Sequence, residues 1–263
     1  QMPPNGSWRG VRFVMSDDAT PEPDYWVVVN HAPPDLNPPP ERTIVLQMEP
    51  AVGIAPFGPP SDADRSRYLH VRSHDTFLNA LEWHLAATYS ELLTTSITKK
   101  RDLSVVVSSK RMSPGHHLRL DLVHAIEAAG LPIDVYGTDN GEGFLGYLGP
   151  LPPLDKREGL FPYRYTIAAE NHSETNYLTE KLVDAILAET LCFYWGCPNL
   201  EDHVDAEAFI RLPMEDPVES IDIVRRAIDE NEHARRLPAI RRAKRRILDQ
   251  QQVAAMLSRL ARG

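Results

Sequence analysis

The chain has 263 residues, of which 42% are apolar and 25% are charged. These ordinary globular values exclude collagen-like structure, coiled coil and wholesale disorder, and the length allows one large domain or two compact ones. The net charge is -9, and the part before His233 holds 36 acidic against 19 basic residues. An acidic body of this kind argues against nucleic-acid binding.

Short β-rich runs, separated by proline clusters, predict a series of strands. Several of them, such as Trp-Val-Val-Val and Ser-Val-Val-Val, are continuously apolar. That pattern is typical of parallel strands that are buried on both faces. The predicted strands cover residues 11–14, 26–30, 43–47, 103–108, 133–136, 165–169 and 191–195.

Apolar residues recur with helical spacing in residues 118–129, 178–186 and 218–228. The last of these segments is preceded by Asp216-Pro217, which fits an N-cap followed by proline at the first helical position. Strands and helices alternate from about residue 100 onward. We therefore predict a parallel α/β domain over residues 99–237 and a smaller unit of the same kind over residues 1–98.

Residues 238–263 are predicted to form a basic C-terminal helix. One interpretation is that this tail lies on anionic lipid as a peripheral membrane contact. The other, which we favour, is that it crosses back to pack on the first domain, because its apolar residues need burial. Those residues are Ile240, Ile247, Met256, Leu257 and Leu260.

No apolar run approaches the roughly 18 residues that a membrane span needs. We therefore expect a cytoplasmic location, membrane-peripheral if the tail binds lipid, and leave open a leader or anchor before Gln1. The two cysteines, Cys192 and Cys197, lie in one apolar stretch and are predicted to be buried free thiols.

Two ligand-binding patterns are set aside. Residues 141–146 spell G-x-G-x-x-G, but they run into prolines instead of the helix that a pyrophosphate needs. Asp62 and Asp64 form a D-x-D pair, yet they lie in a polar, proline-bounded stretch and are interpreted as solvated loop charge. The histidines show no metal-ligand spacing, so no metal site is predicted.

The most informative stretch, residues 163–202, is interpreted as strand, polar loop, helix and strand. Tyr177, Glu180 and Lys181 stand at i, i+3 and i+4, which predicts that all three project from the first turn of a helix beginning near Tyr177. Open α/β sheets bind ligands at the carboxyl ends of strands, and a helix N-terminus suits phosphate. The alternative is a solvated first turn in which Glu180 only complements the helix dipole.

These residues resemble the donor-binding signature of the family 10 glycosyltransferases, the α-1,3/1,4-fucosyltransferases. The matching segments read YRYTIAAEN from Tyr163, YLTEKLVDA from Tyr177 and YWGCP from Tyr194. Two positions depart from the family pattern, where Arg164 stands for the usual lysine and Ala169 for the usual phenylalanine.

The resemblance covers about residues 24–212 and implies the GT-B architecture, an α/β fold with two Rossmann-like domains facing across a cleft. The first unit would be the acceptor side and the second the donor side. Arg119, at the opening of a helix, would supply a second cation for the diphosphate. Glu49, at the end of a strand, would be the catalytic general base.

The activity that the resemblance implies is an inverting, metal-independent transfer of fucose from GDP-fucose to a hydroxyl of an acceptor oligosaccharide, with α-1,3 transfer to GlcNAc expected. No cofactor beyond the donor substrate is required. Another nucleotide sugar as donor, and a catalytically inactive glycan-binding homologue, are the alternatives; the presence of both Glu49 and Lys181 favours an active enzyme. The implied donor-binding residues are Arg119, Asn171, Tyr177, Glu180 and Lys181.

Overall fold

The computed structural model describes residues 6–15, 22–30, 32, 34–49, 62–74 and 80–262. The strands are β1 (Ser7–Trp8), β2 (Val11–Arg12), β3 (Trp26–Val29), β4 (Thr43–Leu46), β5 (His70–Arg72), β6 (Arg101–Val106), β7 (Asp134–Tyr136), β8 (Tyr147–Gly149), β9 (Tyr163–Ala169), β10 (Leu191–Trp195) and β11 (Phe209–Arg211). The α-helices are α1 (Asp62–Arg67), α2 (Tyr89–Thr94), α3 (Pro114–Ala128), α4 (Arg157–Leu160), α5 (Glu180–Leu187), α6 (Pro217–Asp229), α7 (Glu232–Arg246) and α8 (Val253–Leu260).

The larger sheet has six parallel strands in the order β11-β10-β9-β6-β7-β8. The chain enters at β6, runs outward through β7 and β8, and returns to the other side of β6 as β9. This is the doubly wound order, whose strand sequence reverses between β6 and β9. Ligands bind such sheets in the crevice at the carboxyl ends of those two strands.

The core of the larger domain lies on both faces of this sheet. Its strands are buried, as the continuous apolar runs predict, and Val105 and Phe193 have no exposed surface. Helix α3 packs against β9 and α6, whereas α5 packs against β9, β10 and α7. Leu85 and Leu92, which precede the predicted domain boundary at residue 98, pack in this core too.

The smaller sheet has three parallel strands in the order β3-β4-β5. Ile44 and Leu46 of the central strand are buried against Met256 and Leu257 of α8. The C-terminal segment therefore crosses back and covers the first unit of the chain. Two parallel sheets flanked by helices confirm the predicted α/β class.

The basic tail predicted as one helix over residues 238–263 is divided in the structure. Helix α7 begins before residue 238, and a π-helical turn, Ile247–Gln251, separates it from α8. Among the described residues, no helix combines the length and apolarity needed to cross a membrane. Of the apolar tail residues, Leu260 is half-buried, and the following are buried within the protein: Ile240, Ile247, Met256 and Leu257.

Several element boundaries differ from the predictions. Strands β5, β8 and β11, of three residues each, lie outside the predicted runs. Helix α3 begins at Pro114 because proline suits the first helical position. Helix α5 begins at Glu180 instead of near Tyr177, and Asp62 opens helix α1 instead of lying in a loop.

The glycine-rich segment 141–146 is confirmed as a loop, since it consists of turns and leads into β8. A Cβ atom on Gly146 would lie 2.0 Å from the carbonyl oxygen of Ile133, so glycine is needed for close backbone approach. No helix follows this loop, and the segment lacks the N-terminal N–H groups that hold a pyrophosphate.

Candidate functional site

Helix α3 and strand β9 meet at the switch point of the larger sheet. The backbone N–H of Gly115 donates to the carbonyl oxygen of Asn171 at 3.1 Å. A Cβ on Gly115 would stand 1.8 Å from the Glu170 carbonyl oxygen, so only glycine permits this approach. The positive end of the α3 dipole therefore faces the loop that follows β9.

Arg119 lies in the second turn of α3 and is only 4% exposed. Its Nη1 donates to the carbonyl oxygen of Ala169 at 3.0 Å, and its Nε has no hydrogen-bond partner among the described residues. Burial lowers the pKa of the guanidinium, while Glu170 and Glu180 act in the opposite direction. The prediction that Arg119 opens the helix is wrong, but the side chain does reach the end of β9.

Glu170 is a completely buried carboxylate that holds the start of α5. Its Oε1 accepts from the N–H of Thr179 at 2.9 Å, and its Oε2 accepts from the Thr179 hydroxyl at 2.6 Å. Thr179 is the N-cap of α5, and its hydroxyl accepts from the N–H of Lys181. The hydroxyl of Tyr194 also donates to Oε1, at 3.3 Å. Glu170 thereby fixes the first turn on which Glu180 and Lys181 stand.

Lys181 and Glu180 form a charged pair in that turn. Nζ of Lys181 lies 3.3 Å from Glu180 Oε1 and 3.5 Å from Glu170 Oε2. Burial opposes the charged amine, but the two carboxylates outweigh it and raise the pKa of Lys181. Burial likewise opposes the carboxylate of Glu180, yet Lys181 and Lys156 lower its pKa to about 2. At neutral pH the pair therefore offers one cation and one anionic hydrogen-bond acceptor.

Lys156 completes this cluster from outside the sequence motif. Its Nζ lies 3.5 Å from Glu180 Oε1 and 2.7 Å from Asp184 Oδ2. Burial raises the pKa of Asp184 to about 6 despite the neighbouring lysine. The backbone N–H of His84 donates to the other oxygen of Asp184 at 2.6 Å. Lys156 thus links Glu180 to the buried side of α5.

His116 is a buried imidazole close to the cations of the crevice. It lies in the first turn of α3, is 7% exposed, and has Nδ1 2.6 Å from the Ser113 hydroxyl. Burial lowers its pKa to about 4, with further contributions from the charges of Arg119 and Lys181. The imidazole is therefore neutral at physiological pH. The sequence analysis missed His116, since nothing in its local pattern distinguishes it from the exposed His117.

Tyr177 reaches the site from the loop before α5. The prediction that it projects from the first helical turn with Glu180 and Lys181 is wrong, because Thr179 caps the helix after it. Its buried ring packs edge-on against His74, with centroids 5.0 Å apart. Burial raises the pKa of the Tyr177 hydroxyl, and nearby carboxylates, Glu49 among them, raise it further.

Glu49 lies on the smaller domain, shortly after β4, and is exposed. The carbonyl oxygen of Met48, the preceding residue, lies 3.0 Å from Nε2 of His74, whose ring packs on Tyr177, so the backbone before Glu49 lies beside the crevice. The structure thus brings Glu49, Tyr177, Glu180, Lys181 and Arg119 to one crevice.

Two further predictions concern cysteines and metals. Cys192 and Cys197 are confirmed as buried free thiols, and burial raises the pKa of Cys197. Such thiols are poor nucleophiles because the thiolate is disfavoured. Within the described parts of the chain, no group of three or more His, Cys, Asp or Glu side chains is arranged to hold a metal ion.

The fold is the GT-B architecture, as comparison with solved structures shows. The structure resembles that of an alpha1,3-fucosyltransferase solved with GDP, with a TM-score of 0.52 and 17% identity over 92% of this chain and 83% of that one. It also resembles TarM, with a TM-score of 0.50 and 10% identity over 84% of this chain and 49% of that one. Likeness at these identities shows the shared fold and leaves the chemistry to be argued from the site.

Residues 97–233 match the family description "Glycosyltransferase family 10 (fucosyltransferase) C-term". The chain belongs to this family. It is 27% identical over 113 residues to the alpha-(1,3)-fucosyltransferase FucT of Helicobacter pylori, covering 43% of this chain and 22% of that protein. It is 29% identical over 108 residues to a putative fucosyltransferase-like protein of Arabidopsis thaliana, covering 40% and 19%. The matches span about a fifth of the length of these relatives.

Proposed function

We propose that this protein transfers fucose from GDP-fucose to a hydroxyl of an acceptor glycan, with inversion at the anomeric carbon and no requirement for a metal ion. The observation that carries the proposal is a pair of cations at the switch point of the larger sheet, the buried Arg119 and the partly exposed Lys181. Membership of the family and the GDP named with the similar solved structure support the choice of donor. The name of the Helicobacter relative supports an α-1,3 linkage, and we propose GlcNAc as the acceptor sugar.

On the donor side, the cations hold the diphosphate. Lys181 and the free Nε of Arg119 provide donors, and the N-terminal end of α3 adds a positive partial charge. Asn171 and Tyr177 position the diphosphate and the sugar. The carboxylate of Glu180 accepts from hydroxyls of the ribose or the fucose, which its low pKa of about 2 allows at all physiological pH values.

On the acceptor side, Glu49 is the general base. It takes the proton of the attacking hydroxyl while that oxygen bonds to the anomeric carbon of fucose from the face opposite the phosphate. The bond from the anomeric carbon to the phosphate oxygen breaks, and GDP leaves with the electron pair. The negative charge that develops on GDP is stabilised by fixed cations of the crevice, which need no reorganisation during the reaction.

The first experiment is isothermal titration calorimetry in metal-free buffer with GDP, GDP-fucose, GDP-mannose and UDP-galactose. We expect micromolar GDP binding by the wild type. We expect Lys181→Ala to weaken it about 10- to 100-fold, because one hydrogen bond to a charged group is lost. Lys100→Ala is the matched control, since Lys100 is exposed and lies just before the amino end of β6. Its affinity for GDP should equal that of the wild type.

Each other outcome contradicts part of the proposal. Stronger binding of UDP-galactose than of GDP-fucose would assign the site to another nucleotide sugar. Equal GDP affinity in the wild type and Lys181→Ala would show that Lys181, in the first turn of α5, does not bind the diphosphate. Binding of no nucleotide would leave an inactive, glycan-binding homologue as the better interpretation. Transfer itself is then measured with N-acetyllactosamine as the probe acceptor.

A further inference from the structure

The two domains are joined at His74, a buried imidazole that follows β5. Its Nε2 lies 3.0 Å from the carbonyl oxygen of Met48, and its Nδ1 lies 3.3 Å from the carbonyl oxygen of Asn176. In return, the side-chain amide of Asn176 donates to the carbonyl oxygen of His74 at 2.7 Å. One side chain therefore contacts the residue directly before Glu49 and the residue directly before Tyr177.

The backbone of Met48 is held on both sides. Its N–H donates to the side-chain oxygen of Asn30 at 2.9 Å, while its carbonyl faces His74. Asn30 follows β3 and His74 follows β5, so the two peptide groups that flank Met48 contact residues beyond both outer strands of the smaller sheet. Both carbonyl oxygens that face the ring only accept hydrogen bonds, and that of Met48 is the nearer, so Nε2 of His74 is the nitrogen best placed to donate. Glu49 continues directly from this fixed point.

Asn176, on the donor side, is held equally well. It adopts a left-handed conformation with φ of 64°, which asparagine tolerates better than other side-chain-bearing residues. Its N–H donates to Asn199 Oδ1 at 2.8 Å, and its own Oδ1 accepts from Asn199 Nδ2 at 2.8 Å. His203 Nε2 also lies 2.8 Å from that oxygen. These bonds attach the loop carrying Tyr177 to the turn after β10.

We propose that His74 is a positioning residue for the transfer reaction. By bridging Met48 and Asn176, it holds the carboxylate of Glu49 at a set distance from the donor bound beside Tyr177. The inference rests on the proposed function, in which Glu49 is the general base. It adds that the base, although exposed, owes its position to a hydrogen-bonded chain that runs from the smaller domain into the larger one.

His74→Ala tests this role through a split between turnover and donor binding. A misplacement of about 1 Å costs up to about 100-fold in rate, so we expect kcat to fall about 10- to 100-fold. The affinity for GDP should fall much less than kcat, because Arg119 and Lys181 are unchanged and only the ring contact of His74 with Tyr177 is lost on the donor side. His74→Gln keeps an N–H that can reach the Met48 carbonyl, and it should recover part of the lost kcat.

His233→Ala is the matched control. His233 is also buried, and its Nε2 lies 2.9 Å from the carbonyl oxygen of Glu189, away from the crevice. Both alanine variants should lose stability by urea denaturation, and rates are compared under conditions where each is folded. Only His74→Ala should lose kcat. An equal fall of kcat in both variants would show that His74 affects the rate only through the stability of the fold.

A double-mutant cycle with Glu49→Gln completes the test. If His74 acts only through Glu49, the double variant should be no slower than Glu49→Gln alone, since effects of residues that act as a unit are not additive. Additive losses would overturn the positioning role. The positioning role would also be overturned if the wild type turns over GDP-fucose and His74→Ala is equally active. A wild type that turns over no donor would instead overturn the proposed function, and this inference with it.

Discussion

The two sides of the crevice hold their polar groups in different ways. On the proposed donor side, the carboxylate of Glu170 is fully buried and Lys181 is mostly buried, each with bonded partners. On the proposed acceptor side, Glu49 is exposed, and the backbone of the preceding residue, Met48, contacts His74. A diphosphate is the same in every reaction cycle, so fixed charges can bind it. A base has to meet an incoming hydroxyl, so it must stay accessible.

The largest effect that this comparison predicts is on Glu49→Gln. The amide keeps the shape of the side chain but cannot take a proton, so kcat should fall about 10²- to 10⁴-fold. The affinity for GDP should not change, because the donor-binding side chains belong to the other domain. Initial rates of transfer to N-acetyllactosamine and calorimetry with GDP measure the two quantities. Glu41→Gln, an exposed change on the same domain, is the control and should keep the wild-type rate.

A loss of GDP affinity in Glu49→Gln as large as the loss of kcat would contradict this division. It would mean that Glu49 contacts the donor and that the two sides of the crevice are not separate in function.

Glu170→Gln is predicted to have the next largest effect, and on stability. It removes the negative charge that faces Lys181 and Arg119 in a buried setting. Breaking a buried ion pair in this way costs about 3 kcal/mol in the free energy of unfolding. Glu201→Gln is the matched control, because Glu201 pairs with Arg211 at 2.5 Å on the surface. Its loss should be at most about 1 kcal/mol.

Urea denaturation with linear extrapolation gives both free energies of unfolding. Equal losses for the two variants would show that the charge of Glu170 is no more important than one on the surface. The donor side would then depend on packing and not on its buried charges.

The smallest predicted effect is a shift in the titration of His116. Its pKa of about 4 reflects burial and the surrounding cations, so a bound diphosphate should raise that pKa by offsetting their charge. NMR titration of the imidazole with and without GDP measures the change, and His116→Gln assigns the signal. An unchanged pKa at saturating GDP would place the diphosphate away from α3.

The same group has a defined effect on stability. Between pH 6.5 and about 4 the unfolded chain binds more protons at His116 than the native protein does. The contribution of His116 therefore lowers the stability as the pH falls through this range. GDP, by raising the pKa in the native state, should make that loss smaller.

Much of the donor side can be predicted from local sequence, because strand β9, its loop and α5 follow each other directly. The motif put Glu180 and Lys181 at the start of a helix, where the structure has them. Tyr177 lies outside the helix because Thr179 is its N-cap, a position at which threonine is among the preferred residues. Glu170 belongs to the donor motif, but its role in holding the start of α5 depends on hydrogen bonds from Thr179 and Tyr194, which come from different elements.

The sequence by itself determined the parallel α/β class, the family and the residues that carry the donor motif, since these depend on apolar periodicity and fixed local spacing. The tertiary structure decided which groups meet. Arg119 reaches Ala169 across 50 positions in the chain, and His74 reaches Asn176 across 102. Such contacts follow from how β6 and β9 lie side by side and how the C-terminal segment returns to the first sheet. No periodicity or motif encodes them, because the energy of packing distant elements selects them.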